Sequence, residues 1–143
     1  NCDGKSFTCR LGDTGPGGGK VIYVASGTFT QIGATGSMCS NNCKYLEAAP
    51  DDELWNSKYK WSGITNSVTG ATGTAIGTGY SNTWAIFNQP DNELSAAVAR
   101  TINYRGPNSL TDWFLPSSDE LYNLWFFNSF ISVDFFIIFL LFR

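Results

Sequence analysis

Thr111-Asp112-Trp113-Phe114-Leu115-Pro116-Ser117-Ser118-Asp119-Glu120-Leu121-Tyr122 reads as a buried strand running into a capped helix. Trp113, Phe114 and Leu115 form a short apolar run. Pro116 ends it, since proline has no N–H to give to a strand ladder. Ser117 and Glu120 then stand at the spacing of a capping box: the hydroxyl accepts from the N3 amide and the carboxylate reaches back to the cap amide. Asp119 and Glu120 also favour the first turn through the helix dipole. Leu121, Leu124 and Trp125 follow at helical spacing and predict the face turned to the core.

Working outward, Lys20-Val21-Ile22-Tyr23-Val24-Ala25 is rich in β-branched and aromatic residues and predicts a strand. The glycine-dense stretch before it, Gly12 to Lys20, is a turn delivering the chain into that strand. A phosphate loop is rejected, because Thr14 stands where its first glycine belongs and Val21 where its Ser or Thr belongs. A dinucleotide loop would follow a strand, not precede one. Residues 27–36 read as a loop or hairpin. Lys44 to Ala49 predicts a second strand, ended by Pro50. Residues 62–83 are rich in Ser, Thr, Gly and Asn, the composition of an irregular surface segment. Ser81 or Asn82 is the expected cap of a short helix carrying Trp84, Ile86 and Phe87. Asn92 is the expected cap of a longer one, from Glu93 to about Tyr104, with Leu94, Ala97, Val98 and Ile102 on one face. The sum is an α+β fold of short strands, two or three helices and long loops.

With 143 residues the chain fits one domain with a sizeable core. Aromatic residues make up 15% and charged residues 15%, which argues against disorder. The net charge of −3 and scattered basic residues exclude a phosphate-neutralising stripe, and with it a nucleic-acid partner. There is no histidine, so Ser-His-Asp and Cys-His nucleophile systems are excluded in their usual forms. Cys2, Cys9, Cys39 and Cys43 form two close pairs and read as disulfides Cys2–Cys9 and Cys39–Cys43 in an oxidising compartment. A zinc site is the other reading, although the spacing fits it poorly. No signal-peptide pattern opens the chain, which reads as a mature or trimmed product.

Four segments occur in order: Gly12-Asp13-Thr14-Gly15-Pro16-Gly17-Gly18-Gly19-Lys20-Val21-Ile22-Tyr23-Val24, Cys43-Lys44-Tyr45-Leu46-Glu47-Ala48-Ala49-Pro50, Gly73-Thr74-Ala75-Ile76-Gly77-Thr78-Gly79, and Asp112-Trp113-Phe114-Leu115-Pro116-Ser117-Ser118-Asp119-Glu120-Leu121. The series resembles the C-terminal domain of bacterial collagen-like adhesins, the Lcl C-terminal family, over roughly residues 10–125. The resemblance implies a C-type-lectin-like fold on a secreted or cell-surface protein, some relatives binding sulfated glycans, and no catalytic residues. After the Glu-Leu helix the family continues with closing strands that this chain lacks or replaces, so the fold is expected to be incomplete at its C-terminus.

The division expected is a C-type-lectin-like domain over residues 1–125 and an apolar tail over 126–143. Phe135 to Phe142 is too short to span a membrane, against the ~20 apolar residues needed. The tail reads first as a core or assembly strand, then as a membrane anchor; a frame-shifted end is a further reading.

The candidate ligand contacts are Trp55, Trp61 and Trp84, whose faces can stack on sugar rings but equally fill a core, with Lys58 and Lys60 beside Trp61. Asn88, Gln89, Asp91 and Glu93 could give oxygen ligands to Ca²⁺, although a helix start explains Pro90 and Asp91 as well. No other cofactor is implied. The function expected is a non-enzymatic binding or adhesion module recognising a glycan or protein ligand. The alternative is a structural subunit of an extracellular filament or surface assembly, self-associating through the tail.

Overall fold

The computed structural model describes residues 9–33, 39, 41–50, 60–61, 70–90, 96–131 and 140–142. It is a small α+β fold with three helices and an antiparallel sheet. In chain order the elements are β1 (Lys20–Phe29), β2 (Cys43–Ala48), α1 (Gly79–Phe87), α2 (Ala97–Asn103), α3 (Ser118–Ile131) and β3 (Leu140–Phe142).

The sheet has the order β1-β2-β3, so β2 is central. Its pairs with β1 include Lys20↔Ala48, Val21↔Glu47, Tyr23↔Leu46 and Val24↔Tyr45, with irregularities between Val21 and Tyr23 and between Val24 and Phe29. β3 pairs Leu46↔Phe142, Glu47↔Leu141 and Ala48↔Leu140. β2 has a neighbour at each edge and packed side chains on both faces, which explains why it is buried almost throughout and shows no polar–apolar alternation. Leu46 and Ala48 face the main core with Ile22, Phe114, Leu124 and Phe127. Tyr45 lies on the other side with Val21 and Cys9.

β1 begins where sequence places it but runs on to Phe29, through residues 27–29 of the expected loop. The glycine-dense stretch is indeed a turn: Gly15 N–H donates to Gly19 O (3.0 Å), Gly18 N–H to Gly15 O (3.0 Å), and Gly12 N–H to Val21 O (2.8 Å).

Expectations about the Trp113–Leu115 run and the starts of α1 and α2 need correction. The Trp113–Leu115 run is buried but is not a sheet strand. Only Phe114 makes an isolated bridge, and the Leu115 N–H donates to the Thr83 hydroxyl at 2.9 Å, a side chain of α1. Trp113 packs edge-on against Tyr104, with ring centroids 5.1 Å apart. The cap of α1 is neither Ser81 nor Asn82. The helix starts at Gly79 after Thr78, and the Asn82 amide instead clips Gly73, accepting its N–H at 3.1 Å and donating to its carbonyl at 2.6 Å. For α2, Asn92 and Leu94 lie outside the described residues. The helix begins at Ala97 after an extended Ala96, and its first free amides donate to Lys60 O (2.9 Å) and Trp61 O (3.3 Å), so a neighbouring segment does the work of a cap side chain.

In α3 the capping box forms. The Ser117 N–H donates to Glu120 Oε2 at 2.7 Å, and the Glu120 N–H reaches Ser117 Oγ at 3.5 Å. The inward face, however, is Glu120, Leu124 and Phe127, whereas Leu121 and Trp125 point outward. α3 also runs through the boundary expected at residue 125, and the tail contributes β3 to the sheet.

This facing is testable by truncation. Leu124→Ala empties a fully buried site and should lower stability by about 2–5 kcal/mol. Leu121→Ala, on the same helix but half exposed, should stay within about 0.5 kcal/mol. Urea unfolding followed by circular dichroism measures both, and equal losses would show that Leu121 is core.

Candidate functional site

Carboxylates are the groups to consider first, because a chain without histidine has few other acid–base groups near neutral pH. Among the described residues, Glu47 on β2 and Glu120 on α3 are completely buried. Burying a charge is costly unless hydrogen bonds replace the water. Each makes that replacement from backbone amides of a glycine turn. Glu47 accepts from Gly19 N–H at Oε1 (2.6 Å) and from Gly17 N–H at Oε2 (3.0 Å). Glu120 accepts from Gly77 N–H (2.8 Å) and Gly79 N–H (3.4 Å) at Oε1, besides the Ser117 N–H at Oε2.

Glycine is needed in both turns because the carboxylates come so close. A Cβ on Gly15 would collide with Glu47 Oε2, and one on Gly79 with Glu120 Oε2 and, at 2.7 Å, with the Phe114 ring. Each carboxylate thus serves a different turn, one at residues 15–19 and one at 77–79. The hydrogen bonds from Gly17, Gly19, Gly77, Gly79 and Ser117 all come from the backbone.

Burial pushes the Glu120 carboxyl above its ordinary value, and the hydrogen bonds from Ser117, Gly77 and Gly79 pull it partly back. No charged side chain contributes to that shift.

The expected ligand contacts are dispersed. Trp55, Lys58, Asp91 and Glu93 lie outside the described residues. Trp61 is half-buried and Lys60 exposed, and their carbonyls hold the start of α2. Trp84 is half-buried on α1, edge-on to Phe87 at 5.5 Å and tilted against Tyr80 at 6.2 Å, a packing position and not an open platform. Of the calcium set, Asn88 is exposed and ends α1, and Gln89 is buried. Both side-chain amide atoms of Gln89 lack a hydrogen-bond partner. No group of three metal-ligating side chains occurs among the described residues. Cys39 and Cys43 form a disulfide with Cα atoms 4.7 Å apart. Cys9 is disulfide-bonded as well, and Cys2 lies outside the described residues.

The surface that sequence reasoning missed is the outer stripe of α3: Leu121, Tyr122, Trp125 and Phe126 are 50%, 62%, 65% and 54% exposed. The Tyr122 and Trp125 rings lie 6.0 Å apart, tilted by 37°. Leu121 to Ile131 contains no charged residue. The signal was present in the sequence: apolar residues at both 124/127 and 121/122/125/126 are more than one buried face can use.

Two measurements test the buried carboxylates. Gly79→Ala should destabilise the chain by about 2 kcal/mol or more despite alanine's helix propensity, whereas Gly27→Ala, with nothing near its Cβ, should stay within about 0.5 kcal/mol. The second is pH dependence. A folded-state value raised above the ordinary 4.5 means that the native state holds the proton more tightly than the unfolded chain. The Glu120 contribution is therefore fully present below that ordinary value and declines as pH rises from it through the raised folded value. Glu120→Gln should remove this part of the slope in urea midpoints taken across the acid range; an unchanged slope would show that Glu120 does not titrate there.

Comparison with protein-family models, with curated proteins and with solved structures finds no match for this chain.

Proposed function

We propose that the chain is a non-enzymatic binding or adhesion module of a secreted or cell-surface protein, C-type-lectin-like in architecture, that meets a glycan or protein ligand through the outer stripe of α3. The observation that carries this reading is the exposure of Leu121, Tyr122, Trp125 and Phe126 on one side of a helix whose other side is locked into the core. Soluble monomers rarely leave contiguous apolar patches open without a use for them, and tyrosine and tryptophan combine a large apolar area with a polar edge.

Two further observations support it. The four segments that resemble the adhesin family stand as two bonded pairs: the Gly12–Val24 segment to the Cys43–Pro50 segment through Glu47, and the Gly73–Gly79 segment to the Asp112–Leu121 segment through Glu120. The Cys39–Cys43 disulfide suits an oxidising compartment. No helix among the described residues is long and apolar enough to cross a membrane. The alternative, a filament or surface-layer subunit joined through the tail, gains less support, because β3 pairs with β2 of the same chain.

Glycan-array and pull-down binding of the purified chain, with and without calcium, tests the reading. Ligand retained by the native chain and lost in a Tyr122→Ala/Trp125→Ala variant of unchanged circular dichroism is expected. Binding that survives the double substitution removes α3 from the site. Heparin-like polyanions should not be retained at physiological salt, where charges on the surface are screened beyond about 8 Å. Lys20 and Lys44 are tied to Thr14 Oγ1 and Gly27 O, and Arg105 to the carbonyls of Ile102 and Tyr104, so these cations are spread over separate local contacts. Elution from a heparin column above that ionic strength would contradict this.

A further inference from the structure

Gln31 follows the end of β1 and is 3% exposed. A buried primary amide has donors and an acceptor to satisfy. Its Nε2 has no hydrogen-bond partner. Its Oε1 lies 3.8 Å from Cys39 Sγ, and that sulfur is bonded to Cys43. A disulfide sulfur carries no hydrogen, so it has nothing to donate to Oε1. While the bridge is closed, neither end of the amide has a hydrogen bond among the described residues, and a buried polar group left unpaired is destabilising. Opening the bridge changes this. A Cys39 thiol donates its S–H to Oε1, and a Cys39 thiolate accepts from the amide N–H once the amide turns over. We propose that the Cys39–Cys43 bridge is a reversible redox switch whose open, dithiol form is favoured by the Gln31 amide beside Cys39 Sγ. The inference is independent of the reading of α3 as a docking surface.

The surroundings of the bridge suit reversible opening. Approach is one-sided: Cys39 is half-buried, whereas Cys43 is fully buried in the main core, so an external thiolate meets Cys39 Sγ first. The closed loop is short, with a sequence separation of 4, so opening it releases little chain entropy. Bonds that do not involve sulfur hold the same segments. Cys43 pairs with Phe29 in the sheet, Asn42 N–H donates to Cys39 O at 2.7 Å, and Ile32 N–H donates to Gly77 O at 2.8 Å. The fold is therefore expected to outlast the bond. The reductant is an external dithiol. Its first thiolate attacks Cys39 Sγ, the Sγ–Sγ bond breaks, and the electron pair leaves on Cys43 Sγ, which takes a proton. The second thiol of the reductant then displaces Cys39 from the mixed disulfide. Two electrons and two protons pass to the cysteines, and the dithiol becomes a cyclic disulfide.

Equilibration of the full chain with mixtures of reduced and oxidised dithiothreitol at one pH, then acid quenching, alkylation and peptide mass mapping, reads the switch. Cys39 and Cys43 fall in one tryptic peptide, residues 21–44, apart from Cys9. The bridge should open with the circular dichroism signal kept, and close again on oxidation. Gln31→Met preserves the length of the side chain and removes the amide. It should move the opening midpoint about tenfold toward reduced dithiothreitol, which is about 30 mV for a two-electron couple. Ile32→Ser, next in sequence but half exposed, should leave the midpoint in place. If Gln31 serves only the fold, Gln31→Met changes the urea stability of open and closed chains alike and the midpoint stays where it was; that result overturns the proposal. A bridge that opens only in unfolding urea overturns it too. Should the Gln31→Met chain not fold, the opened wild-type chain decides: its Raman S–H stretch should contain a hydrogen-bonded thiol, and a spectrum of free thiols alone rejects the switch.

Discussion

The constraint on which the structure depends is the burial of two carboxyl groups against backbone amides. Water would solvate each oxygen; inside the protein that role falls to amide N–H groups, and only a turn that presents several amides to one point can fill it. The Gly17–Gly19 turn does so for Glu47 and the Gly77–Gly79 turn for Glu120. Dependence runs both ways. The carboxylates need the amides to be tolerated, and the turns need the carboxylates because their donors face inward. Removing one partner strands the other, at about 1–3 kcal/mol per unpaired buried group.

These bonds cross long stretches of sequence. Glu47 reaches back 28 and 30 residues, and Glu120 reaches back 41 and 43. The first pair pins the turn before β1 to the central strand beside it. The second pins the loop entering α1 to the start of α3, where Asp119 N–H and Ser117 Oγ also bond the carbonyls of Thr74 and Ala75. Thr83 adds a third tie by accepting from Leu115 N–H. Irregular segments on both sides of the sheet are thus held by side chain–backbone bonds where no ladder exists to hold them. That is how a chain with so little regular structure keeps a defined core.

What could be read from the sequence follows from what is local. β1 and β2 announce themselves by β-branched and aromatic runs, and the Ser117–Glu120 box by its spacing, because those signals need no knowledge of the partner. The failures are all matters of partnership. Trp113 to Leu115 looks like a strand, but its neighbour is the Thr83 hydroxyl and not a ladder. Asn82 looks like a cap but serves Gly73. Trp84 looks like a platform but packs on Phe87. Glu120 was legible as a capping residue; its second use, across 41 and 43 residues, was not. Glycine spacing was the only trace: Gly77 and Gly79 alternate as Gly17 and Gly19 do, and in both turns two amides converge on one carboxylate.

The outward aromatic stripe is a consequence of the same constraint. A helix can place only one side against the core, and α3 carries enough apolar residues for nearly its whole circumference. Hydrophobicity alone would let it rotate so that Leu121 and Trp125 turned inward. Glu120 forbids that rotation, since its carboxyl must remain at the Gly77 and Gly79 amides, and 100° of turn would carry a buried polar group away from its donors. With Glu120 fixed inward, Leu124 and Phe127 follow at i+4 and i+7, and Leu121, Tyr122, Trp125 and Phe126 are at least half exposed. The buried carboxyl selects one rotation of the helix, and that rotation makes the surface.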